Sequence, residues 1–197
     1  MPSPADPNPV QLTGENSFIQ LFLEEDGDAT TRASHWRILL SPAGTGHVLF
    51  LATDLMAGEP RIYSDNIALA RWLQEGIQGS MTPEYRDTGI PVVQAKFDKS
   101  GDARSFWTET VESDEDIIDL TWYDFGEPFM VAVEAGAMPD RPYGVYSCLV
   151  PARRAQVTIN GEVGRGTPLP KDSHGRKSST CCLAFSETWE GVGGRGL

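Results

Sequence analysis

A chain of 197 residues with 16 basic and 28 acidic side chains carries a formal charge of −12, so nucleic acid and anionic membrane surfaces are unfavourable partners. Five Trp, eight Phe and five Tyr are enough for one sizeable core, while 20 glycines and 14 prolines favour many short elements joined by turns. No apolar run approaches membrane-spanning length, and Met1 to Val10 lacks the basic-then-apolar layout of a secretory leader, so the expectation is a cytoplasmic protein.

Residues 1–14 read as a flexible arm, followed by one domain over 15–197. Ser17–Glu24 reads as a strand, and Glu25-Asp26-Gly27-Asp28 as a turn. Ser34–Ser41 and His47–Asp54 form the next two strands, joined through Pro42-Ala43-Gly44-Thr45-Gly46, a strong hairpin signal. After a short strand at Arg61–Tyr63 the period changes. Ser64 or Asp65 can cap a helix over 65–77, whose apolar stripe includes Ile67, Ala70, Leu73 and Ile77, with Gly76 and Gly79 marking its end. A linker runs from Gly79 to Gly89. Strand signals resume at Pro91–Phe97, Ser105–Val111, Asp116–Phe125, Pro128–Ala135, Gly144–Val150 and Gln156–Asn160. Gly161–Ser179 reads as a long loop, and Thr180–Trp189 closes the domain.

Alternation argues against a buried parallel sheet. The expected fold is a mainly-β antiparallel barrel with one amphipathic helix, a two-sheet sandwich being the alternative. In general shape this strand-rich layout resembles lipocalin-like barrels.

One face of the central strands carries Trp107, Leu120, Trp122, Val131 and Val133, with Glu109 among them. A carboxyl group on an apolar wall has its pKa raised by desolvation and becomes a usable general acid or base. Tight two-residue turns would set Glu109 opposite Ile118, and Asp119 opposite Glu134 as a like-charge pair or hard-cation site. A two-residue loop at Gly44-Thr45 would set His35 opposite Asp54, a carboxylate orienting an imidazole, with Arg37 on the same face to hold an acid. Tyr146, near the turn Met138-Pro139-Asp140-Arg141-Pro142, offers a hydroxyl to a pocket.

The candidate catalytic residues are therefore Glu109, His35 and Asp54, and the candidate substrate-binding residues Arg37, Trp107, Trp122 and Tyr146. His35, His47 and His174 have no zinc spacing, and Cys148, Cys181 and Cys182 suit buried small hydrophobes better than a disulfide framework. No phosphate-binding loop, dinucleotide turn or serine-hydrolase elbow is present, so no cofactor and no metal is expected. The reading is a cofactor-independent lyase or isomerase acting on a small apolar or aromatic carboxylic acid. The alternatives are a carrier of a hydrophobic metabolite and an interaction module using a sheet edge. A homodimer is compatible with such a sheet.

Overall fold

The computed structural model describes residues 10–137 and 143–191. Their strands are β1 (Val10–Phe22), β2 (Ala29–Leu40), β3 (Gly46–Thr53), β4 (Arg61–Ser64), β5 (Val92–Gln94), β6 (Lys96–Gly101) and β7 (Phe106–Glu112). They continue with β8 (Ile117–Phe125), β9 (Phe129–Val133), β10 (Gly144–Ile159), β11 (Glu162–Val163), β12 (Pro170–Ser173), β13 (Arg176–Ser179) and β14 (Cys181–Glu190). The main path of the large sheet runs β5-β4-β3-β2-β1-β14-β10-β8-β7-β6, and β9 and β11 also pair with β10.

The two ends of that path, β5 and β6, are separated in sequence by Ala95 alone. The Ala95 amide donates to the Ser64 carbonyl at 3.0 Å. One extended segment thus leaves the edge beside β4 and joins the edge beside β7, so the wall is closed by the chain itself. The result is a mainly-β, nearly closed barrel with one short helix. It is mixed rather than purely antiparallel, because β4 and β5 pair parallel.

Period-2 alternation sends Ile19 and Leu21 of β1, Ala33 of β2, Leu49 and Leu51 of β3, Leu120 and Trp122 of β8, and Leu183 of β14 into the barrel core. A second core lies outside the wall. There Trp36, Ile38, Val48, Phe50 and Ile62 meet Leu69, Leu73 and Ile77 of the helical segment. Coverage on both faces explains why β3 is buried at nearly every position and reads as a continuous apolar run.

The helical segment comprises α1 (Ile67–Leu73), a π turn (Gln74–Gln78) and a last turn, α2 (Gly79–Met81). Its cap is Asn66, whose side chain accepts from the Leu69 amide. Ser64 belongs to β4, with its hydroxyl on the His47 carbonyl, and Asp65 is engaged with His47. Gly79 does not stop the helix. Its φ is −64°, and a Cβ there would meet the Gln74 carbonyl at 2.9 Å, so glycine serves close packing instead. The expected linker folds over this helix as a turn at Pro83–Arg86 that buries Tyr85.

Several other boundaries differ from expectation. Val10 to Gly14 belong to β1, and Leu12 is fully buried, so residues 10–14 are strand rather than the expected arm; residues 1–9 lie outside those described. The two expected strands after Gly144 are one long strand, β10, continuous through Pro151 and Arg153. The expected loop over Gly161–Ser179 contains β11 and the separate hairpin of β12 and β13. The turn Met138–Pro142 lies outside the described residues. Among those described, no helix is long and apolar enough to cross a membrane.

Candidate functional site at the barrel mouth

Antiparallel partners share a face, so register alone builds the upper rungs of the barrel interior. Ser17 of β1 pairs with His35 of β2, and His35 pairs with Leu49 of β3. One rung nearer the mouth, Glu15 pairs with Arg37, and Arg37 with His47. Across the barrel, Lys99 of β6 pairs with Glu109 of β7.

Glu109 is 4% exposed. Its Oε1 accepts the Trp107 indole N–H at 2.7 Å, two residues back on the same strand face. Burial raises its pKa to about 7, against the opposing pull of that hydrogen bond and of the Lys99 and Arg37 charges, with Glu15 adding to the rise. The Lys99 ammonium lies 5.5 Å from the Trp107 ring centroid. The carboxyl group expected on an apolar wall is therefore there. Its opposite residue is Leu120 rather than Ile118, because Ser113–Asp116 forms a longer turn. The register differs by two residues, which preserves the face.

His35 is 2% exposed, and its Nε2 has no hydrogen-bond partner. Burial lowers its pKa to about 3, helped by repulsion from His47, Lys99 and Arg37. It is a neutral imidazole across the physiological range, too weakly basic to serve as a general base. The expected His35–Asp54 pair does not form. Asp54 sits in a turn at the other end of β3, 2.7 Å from Arg165. The expected loop was too short: Arg37 meets His47 and Ile38 meets Gly46.

An orienting carboxylate is found instead beside His47. Asp65 follows β4 and reaches His47, with Oδ2 2.7 Å from Nδ1 and Oδ1 accepting the His47 backbone N–H at 2.7 Å. A carboxylate oxygen accepts, so this contact favours the ring form with the proton on Nδ1 and turns Nε2 away from Asp65. The His47 ring stacks on Phe97 at 5.1 Å, and Phe97 on His35 at 5.6 Å. In the sequence His47 is only the first residue of a strand. The missed signal was an Asp beyond a short strand, legible only once β3 and β4 are known to pair.

Arg37 donates to Glu15 at 2.8 Å. Arg37 and His47 also line an open cleft of about 750 Å³ at the mouth, with Asp65, Gln94 and the exposed Leu39 and Ile67. The cleft and the buried cluster thus share two residues. Gly46 makes this possible: at φ +150° it leaves room for Asp65, and a Cβ there would stand 2.6 Å from Asp65 Oδ1. Gly46→Ala is expected to cost about 1–3 kcal/mol and to displace Asp65. The His47 ring nitrogen shifts in NMR spectra check it: they are expected to move when the Asp65 contact is lost, and unchanged shifts would show that Asp65 tolerates the methyl group.

Other expected site residues lie elsewhere or play another part. Trp107 is half-buried and packs edge-on against Phe185 at 5.0 Å. Trp122 is fully buried core, its indole donating to the Phe18 carbonyl at 3.1 Å. The Tyr146 hydroxyl is raised in pKa by desolvation and by Glu190 and Glu134, which places it among acids remote from Glu109 in register. Asp119 faces Thr110 and Thr158, whose hydroxyls donate at 2.7 and 3.4 Å, and not Glu134, because β9 pairs with β10 rather than β8. Among the described residues no group of three or more His, Cys, Asp or Glu side chains could hold a metal ion. The three cysteines are free, and burial pushes the Cys181 thiol up to about 12.

No family model matches the chain, and neither a curated protein nor a solved structure matches it.

Proposed function

We propose that the protein is a cofactor-independent acid–base catalyst, a lyase or isomerase, acting on a small apolar or aromatic carboxylic acid at the barrel mouth. The observation that carries this reading is a buried carboxyl group with a pKa near 7, within reach of the Lys99 and Arg37 charges, while Arg37 and His47 also line the cleft at the mouth. Proton transfer at neutral pH needs groups of that strength. Arg37 holds the substrate carboxylate, and the exposed Lys99 adds positive charge near Glu109. Leu39 and Ile67 take the apolar body. His47, oriented by Asp65, and Glu109 exchange protons with carbon. Neutral His35 offers a hydrogen bond without competing for the proton. One group removes a proton and another returns one, so the chemistry is redox-neutral. Three free cysteines suit the reducing cytoplasm.

The test is solvent deuterium incorporation. The protein is incubated in D2O with a panel of arylacetic, 2-oxo and hydroxy acids, and exchange at carbon is read by NMR. Catalysed exchange is expected for at least one acid, with Arg37→Gln raising KM roughly tenfold or more through loss of the anion contact. Saturable binding without exchange would make the protein a carrier, and neither binding nor exchange would remove the proposal.

A further inference from the structure

A second cleft lies away from the mouth. It measures about 1040 Å³ and runs between the β12–β13 hairpin and the corner where β9 and β10 meet. Met130 and Cys148 lie on its floor; they pair across β9 and β10 and so share a face. Pro128, Pro151, Pro168 and Pro170 stiffen its walls.

β9 pairs with β10 alone, and its other edge has no strand partner among the described residues. Its sequence, Phe129 to Val133, contains no charge and no proline, the devices by which exposed edges normally refuse a further strand. Met130 is 67% exposed. A strand laid along this edge extends the face that bears Met130, so every second side chain of the newcomer falls over the cleft.

The charge of the cleft inverts that of the molecule. The chain has 28 acidic and 16 basic residues, but the lining of this cleft holds Arg153, Arg176 and Lys177 against Glu127, with Asp172 opposite Lys177 on the hairpin. Among the described residues neither Arg176 nor Lys177 forms an ion pair, and Arg153 meets Asp124 at 3.6 Å with both side chains exposed, a pair screened by solvent.

We propose that this cleft and the β9 edge bind an extended acidic segment of a partner protein by strand addition. The main chain of the segment supplies ladder hydrogen bonds to β9. Its apolar side chains cover Met130, and its carboxylates meet Arg153, Arg176 and Lys177.

Hydrogen exchange on the full chain tests this, with a synthetic nine-residue peptide alternating valine and glutamate as probe and a valine–lysine peptide as control. Outward amides of β9 are expected to exchange rapidly in the free protein and to be slowed by the acidic peptide only. Arg176→Glu with Lys177→Glu, on an exposed hairpin, should weaken binding roughly tenfold or more. Raised salt should weaken it in the unsubstituted protein too. Unslowed exchange, equal binding of the lysine peptide, or displacement of the peptide by inorganic phosphate overturns the proposal. So do β9 amides already protected in the free protein, where sedimentation shows whether a second copy holds the edge.

Discussion

Glu109→Gln is expected to abolish carbon-centred deuterium exchange while making the protein more stable above neutral pH. The amide keeps an acceptor for the Trp107 indole and has the shape of the protonated acid. Loss of the proton-transferring group costs about two to four orders of magnitude in rate. The stability gain follows from linkage. The folded-state pKa, about 7, lies above the ordinary value of 4.5. Stability contributed by this group is therefore fully present below pH 4.5 and is lost as pH rises through 7. The corresponding penalty at pH 8 is about 3 kcal/mol, an order-of-magnitude figure that the glutamine variant escapes. His35 works in the opposite direction, since its folded pKa of about 3 lies below 6.5 and costs stability as pH falls. Comparing the two proteins by urea denaturation from pH 5 to pH 9 cancels that shared contribution. Parallel curves would mean that Glu109 is hydrated in the folded state, and the catalytic reading would lose its base.

Trp122→Ala should remove about 3–5 kcal/mol, a large share of a typical domain's stability. The side chain is fully buried in the barrel core, and its indole donates to the Phe18 carbonyl of β1 at 3.1 Å, tying β8 to β1. Truncation leaves a cavity and removes that hydrogen bond. Trp122→Phe keeps much of the volume and loses the hydrogen bond, so it should cost about 1–3 kcal/mol. A loss below about 1 kcal/mol for the alanine variant would instead restore Trp122 to the wall of a ligand cavity.

These two residues show what could be read in advance. The inward set of Trp107, Glu109, Leu120 and Trp122 survives because an error of two positions in register leaves every side chain on its original face. The His35–Asp54 pairing had no such protection. It rested on one hairpin loop length, and the real turn sends Asp54 to the far end of the barrel and leaves the orienting role to Asp65. Nothing local marks Asp65, because its place depends on β3 pairing with β4. The helix ran past two glycines because tertiary packing against Tyr85 selected Gly79 for its lack of a side chain. In the sequence, Pro151 and the Arg153-Arg154 pair look like a break between two strands, yet β10 runs through them. In the fold that stretch turns a corner, leaving β9 and taking up β8 as its neighbour. The parallel pairing of β4 and β5 has no short-range signature at all.

The circular order of the strands also bears on synthesis. Among the described strands β14 emerges last, yet it fills the place between β1 and β10, so that Val10 lies opposite Glu190. A nascent chain carrying everything up to β13 therefore presents two long, unfilled edges, each able to recruit a wrong neighbour. Ring completion waits for the final ten-residue strand, Cys181–Glu190.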